Sequence, residues 1–495
     1  MKLRELFADQ PVVGRDQAAD TEVTGVSHDS RRVAPGDLFV AWQGERFDGA
    51  EFAPQAIAAG ARAVLAATAS ARPAGTEAVP WLTADDPHRL LAPLADRLWN
   101  WPGRELRVAG VTGTNGKSTV VALLQSILTR AGWPCGIFGT LGYGFGEWVE
   151  SAARTTPEGS DLFRLLRRMA DSGAAAVAME MSSHALALGR LGELALDLAV
   201  FTNLTRDHLD LHGDLESYFQ AKAAIFDRLR DGGVGVVNVD DSFGRRMVEE
   251  RPGLRTYSAQ GAAADVAVVD AHLDLTGTRA TLRTPRGDLA FRSPLLGRFN
   301  LANLVAAAAG AEALGVAHEV IADGLAEVAP ITGRMERVSA PDDLPVFVDY
   351  AHTEEALRAA LSSLAEITGR SLIVVFGCGG DRDRGKRHTM GRIAGELAEL
   401  PIVTSDNPRG EDPHDILAEV EKGLAESGNR SYRVVPDRRE AIRRAIAVAR
   451  DDQAVLIAGK GHEQVQTIGD REIRFSDHEE ARRALEGRCG EAVRG

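Results

Sequence analysis

The sequence predicts an α/β protein of three domains. A small α/β unit covers 1–97, a central domain with a mostly parallel sheet covers 98–336, and a Rossmann-like domain covers 337–495. Three observations carry this. The chain has 495 residues, room for about three domains of ordinary size. Short apolar runs alternate with helix-like stretches through most of it, which implies parallel strands covered on both faces. One glycine-rich stretch, Gly-Val-Thr-Gly-Thr-Asn-Gly-Lys-Ser-Thr over 110–119, separates an apolar run from a helical pattern.

The N-terminal segment has strand patterns at 36–42 and 61–66. Between Val26 and Arg32 the chain is polar and turn-like, and Ser30, Arg31 and Arg32 could bind an anion or simply face water. A Trp-, Pro- and Gly-containing stretch over 98–105 marks the boundary.

Leu106, Val108, Ala109 and Val111 then read as a buried strand, and Val120, Leu123, Leu124, Ile127 and Leu128 recur at helical spacing. Strand, glycine turn, Lys-Ser and helix form a phosphate loop, so the central domain is expected to be ATPase-like. Glycines let several N–H groups converge, and the helix adds its positive end. Lys117 would reach the terminal phosphates and the Ser118 hydroxyl would hold Mg²⁺. Val111 stands where the usual loop has its first glycine, with Gly113 inside instead, so the loop is a variant.

Further strands are expected at 136–140, 174–181, 196–201 and 234–239. Ligands in such sheets sit at carboxyl strand ends, where Glu180-Met-Ser-Ser-His184 and Thr202-Asn-Leu-Thr-Arg-Asp-His208 lie. An antiparallel hairpin is expected over 266–291 and a helix over 300–310. The last domain predicts strands at 345–349, 371–376, 401–405, 433–435 and 454–458. Their ends carry Asp349-Tyr-Ala-His352, Gly379-Gly-Asp-Arg382, Asp406-Asn-Pro-Arg409 and Gly459-Lys-Gly-His-Glu463.

The formal net charge of −14 argues against nucleic acid and anionic membranes as partners. Three scattered cysteines and no long apolar span fit a cytoplasmic protein. Among the polar groups, Glu180 could ligate Mg²⁺ or be solvated. His208, near Asp207, Asp210 and His212, shows no zinc spacing and could be structural. Lys222 on an otherwise apolar helix could snorkel or be buried and reactive. Arg409, after a Pro-fixed turn, could clamp a carboxylate or lie exposed.

Taken together, the chain resembles the Mur ligase family of ATP-dependent peptidoglycan precursor synthetases over nearly its whole length. The resemblance rests on Gly113-Thr-Asn-Gly-Lys-Ser118, Thr202-Asn-Leu-Thr-Arg-Asp-His-Leu-Asp210, Gly297-Arg-Phe-Asn-Leu-Ala-Asn303 and Asp349-Tyr-Ala-His-Thr353. Asp406-Asn-Pro-Arg409 resembles the signature of the members that add meso-diaminopimelate, where lysine-adding members lack the Arg. The resemblance implies a ligase joining meso-diaminopimelate to the D-glutamate γ-carboxylate of UDP-MurNAc-L-Ala-D-Glu, with ATP and Mg²⁺, acting as a monomer.

It also implies roles. Ser30 would lie near the uridine phosphates, and Thr155, Thr156, Ser182 and Arg190 would grip the muramoyl-dipeptide. ATP would meet Gly113, Thr114, Asn115, Gly116, Lys117, Ser118 and Thr119, with Asn300, Arg334 and Asp349 at adenine, phosphates and ribose. Lys222 would be carbamylated and join Ser118, Glu180 and His208 around Mg²⁺. Arg382, Asp406, Asn407, Pro408, Arg409, Gly459 and Glu463 would hold diaminopimelate, and His352 would assist in deprotonating its amine. The sequence departs from the family pattern at Arg154 and at Glu45-Arg-Phe47, which touches the sugar-nucleotide contacts and not the reaction. A lysine-adding member and a phosphate-loop NTPase of another class are the alternatives.

Overall fold

The computed structural model describes residues 1–44 and 47–492, so Glu45 and Arg46 lie outside the described residues. The chain forms two compact units, each from three segments: 1–112, 132–200 and 220–235, then 113–131, 201–219 and 236–495.

The first unit holds an all-parallel sheet in the order Gly25–Ser27, Asp37–Val40, Ala63–Ala67, Trp81–Ala84. The two middle strands are those the sequence predicts. Of the outer two, Gly25–Ser27 has only three residues and runs straight into the polar turn, and Trp81–Ala84 is fully buried only at alternate positions, so neither reads as a continuous apolar run. Phe39, Ala53, Ala56, Val64 and Ala66 form the core on one face of this sheet. The same unit holds Arg107–Thr112, Ala176–Glu180 and Cys135–Gly139, mutually parallel in that order. Two antiparallel strands absent from the sequence prediction, Gly142–Phe145 and Trp148–Glu150, extend it.

In the second unit Arg255–Ser258 pairs in parallel with the end of Leu229–Asn238 and with Val266–Asp274. The expected hairpin is a three-stranded meander, Val266–Asp274, Gly277–Thr284 and Gly287–Ser293. Pro285-Arg286 makes one reversal, as expected. Leu275-Thr276 makes another within what reads as one continuous polar stretch. Helices Arg298–Ala313 and His318–Ala326 pack against each other and against Lys117–Arg130.

The C-terminal sheet runs Glu336–Arg337, Val346–Asp349, Gln453–Ala458, Ser371–Phe376, Leu400–Val403, Arg433–Val434. All pairs but the first are parallel. Its central strands are continuous apolar runs because both faces are buried. Alternate residues divide cleanly: Phe347, Val374, Phe376 and Leu456 enter one core, while Val346, Val348, Ile373, Val375, Val455 and Ile457 enter the other. Parallel pairing gathers the carboxyl ends at Asp349, Phe376, Val403 and Ala458 on one rim. Among the described residues no helix is long and apolar enough to cross a membrane.

Candidate active site

In the second unit the glycine-rich loop is held by backbone geometry and by the segment after Phe201. Gly116 has φ 89° and Gly113 φ 151°, a region that side chains resist. Space is short as well: a Cβ on Gly113 would meet the Thr202 hydroxyl, and one on Gly116 would meet Asn303 Oδ1. The Thr114 N–H donates to the Asn203 carbonyl at 2.9 Å and the Asn115 N–H to Asn203 Oδ1 at 2.9 Å. The Thr202 hydroxyl donates to the Asn115 carbonyl at 2.6 Å. Lys117 folds over the loop and donates to the Gly113 and Thr114 carbonyls, each at 2.9 Å.

The Ser118 hydroxyl accepts from Arg334 Nη2 at 3.0 Å, and the Arg334 guanidinium lies 4.8 Å from the centre of the Tyr350 ring. Next to the loop is a cavity of about 250 Å³, with Gly116, Thr119, Asn303, Arg334 and Asp349 among its polar lining and Phe299 and Ala356 on the apolar side. Asp349 accepts the N–H groups of Met335 at 2.6 Å and Ala351 at 2.8 Å. Burial pushes its carboxyl up to about 6, against the pull of Arg334.

Asn300 does not line this cavity. Its amide donates to the Leu296 carbonyl at 2.9 Å and its oxygen accepts from Asn303 at 3.2 Å. Both asparagines lie on one face of Arg298–Ala313, and spacing alone could not say which reaches the loop. Asn303 is the one of the two that lines the cavity.

Beside this cavity, His352 Nδ1 lies 2.8 Å from the Tyr350 carbonyl. That acceptor puts the proton on Nδ1 and the lone pair on Nε2. Burial, then Lys386, holds His352 below its ordinary range. Burial works to raise the nearby Asp207 carboxyl, but His208, His352 and Lys386 hold it low. His208 is about half exposed, has a left-handed backbone at φ 53° and lies 3.5 Å from the Asp207 carboxylate.

The rim of the C-terminal sheet brings together the residues predicted for the amino acid. Asn407 Nδ2 donates to Glu463 Oε2 at 2.8 Å. Lys460, fully buried, donates to Asn407 Oδ1 at 2.9 Å and Glu463 Oε2 at 2.7 Å. Arg409 Nη1 donates to the Gly380 carbonyl at 2.8 Å. Pro408 and Gly459 belong to the same rim, packing close to Gly380 and to the Asp406 carboxylate respectively. Arg382 is exposed and donates to the Asp381 carbonyl at 3.1 Å. Sequence reasoning missed Lys460 and Arg387. Both sit inside quoted or adjoining polar strings, and a cation in such a string reads as solvated unless its burial and its acidic partner are known.

The first unit has a larger cavity of about 680 Å³, with Ser30, Arg31, Arg32, Arg154, Glu158 and Arg164 in its lining. Ser30 Oγ donates to Gln55 Oε1 at 3.0 Å. The Thr156 hydroxyl donates to the Glu180 carbonyl at 2.8 Å and accepts the Ser182 N–H at 3.0 Å. Arg190 Nε lies 2.9 Å from Glu158 Oε1. Glu158 is a further missed residue: burial works to raise it, yet His88, Arg190 and Arg154 keep it below the carboxylate range. Thr155 lies 3.4 Å from the Thr140 hydroxyl, and the Thr140 N–H donates to Glu180 Oε1 at 2.8 Å. Glu180 and Lys222 are each only 1 % exposed. Among the described residues no group of three or more His, Cys, Asp or Glu is placed to hold a metal.

Comparison with known proteins adds three findings. Three family models match in succession: "Mur ligase family, catalytic domain" over 22–98, "Mur ligase middle domain" over 111–311, and "Mur ligase, glutamate ligase domain" over 333–461. The UDP-N-acetylmuramoyl-L-alanyl-D-glutamate–2,6-diaminopimelate ligase of Gloeobacter violaceus is 47 % identical over 493 residues, 99 % of each chain. The Geobacter metallireducens protein of the same name is 41 % identical over 484 residues, 94 % of each. A solved structure of a UDP-N-acetylmuramoyl-L-alanyl-D-glutamate–2,6-diaminopimelate ligase superposes with TM-score 0.67 at 34 % identity and covers 99 % of both chains. A Mycobacterium tuberculosis folylpolyglutamate synthase complexed with ADP shares the fold over 75 % of this chain, at 19 % identity and TM-score 0.63.

Proposed function

This chain belongs to the Mur ligase family, and we propose that it joins meso-diaminopimelate to the D-glutamate γ-carboxylate of UDP-MurNAc-L-Ala-D-Glu at the expense of ATP. The observation that carries the reading is a braced phosphate loop and an Arg409-bearing rim within one compact unit. A phosphate-loop switch or motor has no use for the second feature.

The segment over 98–336 takes ATP. Loop N–H groups and the Lys117–Arg130 helix end face the phosphates, and Lys117 spreads charge as the γ-phosphoryl group is transferred. The cavity beside Asp349 and Asn303 suits the nucleoside. Mg²⁺ takes oxygen ligands: the Ser118 hydroxyl would hold it at the loop together with phosphate oxygens, and Glu180, a carbamate on Lys222 and His208 are the further groups that the family resemblance assigns to it. When bound, the ion supplies charge neutralisation on the phosphates.

The segment over 1–97 takes the UDP end, with Ser30, Arg31 and Arg32 on the wall of an arginine-rich cavity. Thr155, Thr156, Ser182 and Arg190 orient the dipeptide. The segment over 337–495 takes the amino acid: Arg409 matches its distal carboxylate as a planar fork, and Asp406, Asn407 and Glu463 match its ammonium and backbone groups.

Chemically, an oxygen of the γ-carboxylate attacks the γ-phosphorus, the bond to ADP breaks, and an acyl phosphate forms. The diaminopimelate amine, after losing a proton, attacks the acyl carbon. Phosphate departs and the amide remains. His352 is suited to receive that proton because it is neutral with its lone pair on Nε2. The protein acts in the cytoplasm as a monomer, without nucleic acid or membrane.

The test is ADP release with UDP-MurNAc-L-Ala-D-Glu, followed by oxygen-isotope transfer. The ligase reading expects release that depends on meso-diaminopimelate, and one carboxylate oxygen recovered in the phosphate. Release that ignores the amino acid favours the NTPase alternative, and a preference for L-lysine favours the lysine-adding one.

A further inference from the structure

Two loops close the rim of the C-terminal sheet, 379–382 after Ser371–Phe376 and 406–411 after Leu400–Val403. One carboxylate ties them together. Glu411 meets Arg387 at two points, Oε1 with Nη2 at 2.7 Å and Oε2 with Nη1 at 3.0 Å. Oε1 also accepts the Asp381 N–H at 2.7 Å. Arg387 is fully buried, and its Nη2 donates to the Gly379 carbonyl at 3.2 Å. The ties run both ways: Asp381 Oδ2 accepts the Gly410 N–H at 3.0 Å, and the Gly380 N–H donates to the Asn407 carbonyl at 2.9 Å.

Arg409 sits inside this frame. Its guanidinium is directed by the bond from Nη1 to the Gly380 carbonyl. Its backbone, at φ 52°, and that of Asp381, at φ 51°, are left-handed, a conformation that persists only where surroundings enforce it. The Arg409 backbone is tied to Thr467 and Gly469, at 3.1 and 2.7 Å, whereas the direction of its guanidinium depends on where the 379–381 peptides lie.

We propose that Glu411 is a positioning residue for amino-acid selection: with Arg387 it fixes the 379–381 peptides, which aim the Arg409 guanidinium at the distal carboxylate of the incoming amino acid. Glu411 acts through these groups and not on the substrate. The inference rests on the diaminopimelate reading above. An amide in place of the carboxylate keeps one acceptor oxygen for the three donors served, Asp381 N–H and two Arg387 nitrogens, and leaves buried Arg387 with Glu419, 3.0 Å away, as its remaining acid. The hydrogen bonds from Arg387 hold Glu411 down to about 2, so the brace is charged throughout the neutral range. A bidentate guanidinium contact tolerates little misalignment, so a displaced fork loses binding for the one substrate it serves.

The experiment compares wild type, E411Q, E411D, R409K and the double variant E411Q/R409K, with thermal midpoints measured alongside. Positioning predicts that E411Q raises KM for meso-diaminopimelate about tenfold while kcat and the KM values for ATP and UDP-MurNAc-L-Ala-D-Glu stay within about twofold. E411D shows a smaller rise of the same kind and decides the matter if E411Q does not fold. The double variant is no worse than R409K, because residues acting as a unit are not additive. An unchanged KM for meso-diaminopimelate, multiplying effects in the double variant, or a uniform loss that tracks the thermal midpoint overturns the proposal. Wild type that releases ADP without an amino acid overturns the ligase reading and the inference together. Wild type that depends on meso-diaminopimelate, beside an E411Q with unchanged KM, overturns the inference alone.

Discussion

The phosphate loop and the rim around Arg409 are built in opposite ways. The loop is ten consecutive residues, and its strained glycines, its lysine and its helix end all lie within them. The rim is assembled from loops after four parallel strands, at 349–352, 379–382, 406–411 and 459–463. It is held by buried charge: Lys460 on Glu463, and Arg387 on Glu411 and Glu419. A local device can be transplanted between chemistries, whereas an assembled one depends on the whole sheet and carries the specificity. On the function proposed above, general phosphate chemistry falls to the first region and the choice of amine to the second.

Four perturbations separate the two. The largest effect is expected at Lys117: K117M removes the ammonium over the loop and lowers kcat about 10²–10³-fold, as loss of one preorganised electrostatic group does. Steady-state ADP release measures it, and the KM for meso-diaminopimelate should hardly change. Next, R409A leaves kcat within reach of wild type but raises KM for meso-diaminopimelate about 10–100-fold through loss of the bidentate partner. The preference over L-lysine should narrow by the same factor, and an unchanged KM would remove Arg409 from its assigned role.

Gly116 gives a smaller, mixed effect. G116A forces a Cβ into a left-handed site against Asn303 and should cost about 1–3 kcal/mol in chemical unfolding. The same variant should raise the ATP KM and leave the amino-acid KM alone. The smallest effect is a pH slope. Burial, then Arg334 and neighbouring cations, pushes His462 down to about 4 from 6.5. Between those values the unfolded chain binds a proton that the native chain does not, so native stability falls as pH drops from 6.5 to 4. H462Q should lose less stability than wild type across that window, as read from thermal midpoints against pH.

The same contrast explains what could be read from the sequence. The loop was legible because its parts are contiguous. Apolar runs also marked the central strands of the C-terminal sheet, Val346–Asp349, Ser371–Phe376 and Gln453–Ala458, because both their faces are buried. Short edge strands were not legible: Gly25–Ser27 and Trp148–Glu150 offer three residues each, too few for a period to register. Asn300 enters through the family resemblance, and Asn303, on the same helix face, is the one that lines the cavity. Arg387 and Glu158 were missed because a buried charge is intelligible only through its partner, and those partners come from other segments; Lys460 has Glu463 three residues on, but its other partner, Asn407, comes from another segment.

The central claim is that one region activates a carboxylate while the other selects the amine. A competition reaction tests it most directly: wild type and R409A are each given UDP-MurNAc-L-Ala-D-Glu, ATP and equal concentrations of meso-diaminopimelate and L-lysine, and the tripeptide products are separated by mass. The account predicts that wild type makes the diaminopimelate product almost alone, while R409A makes both with ADP still formed in step with product. Equal incorporation by wild type, or an R409A that loses ADP formation but keeps its selectivity, would contradict it.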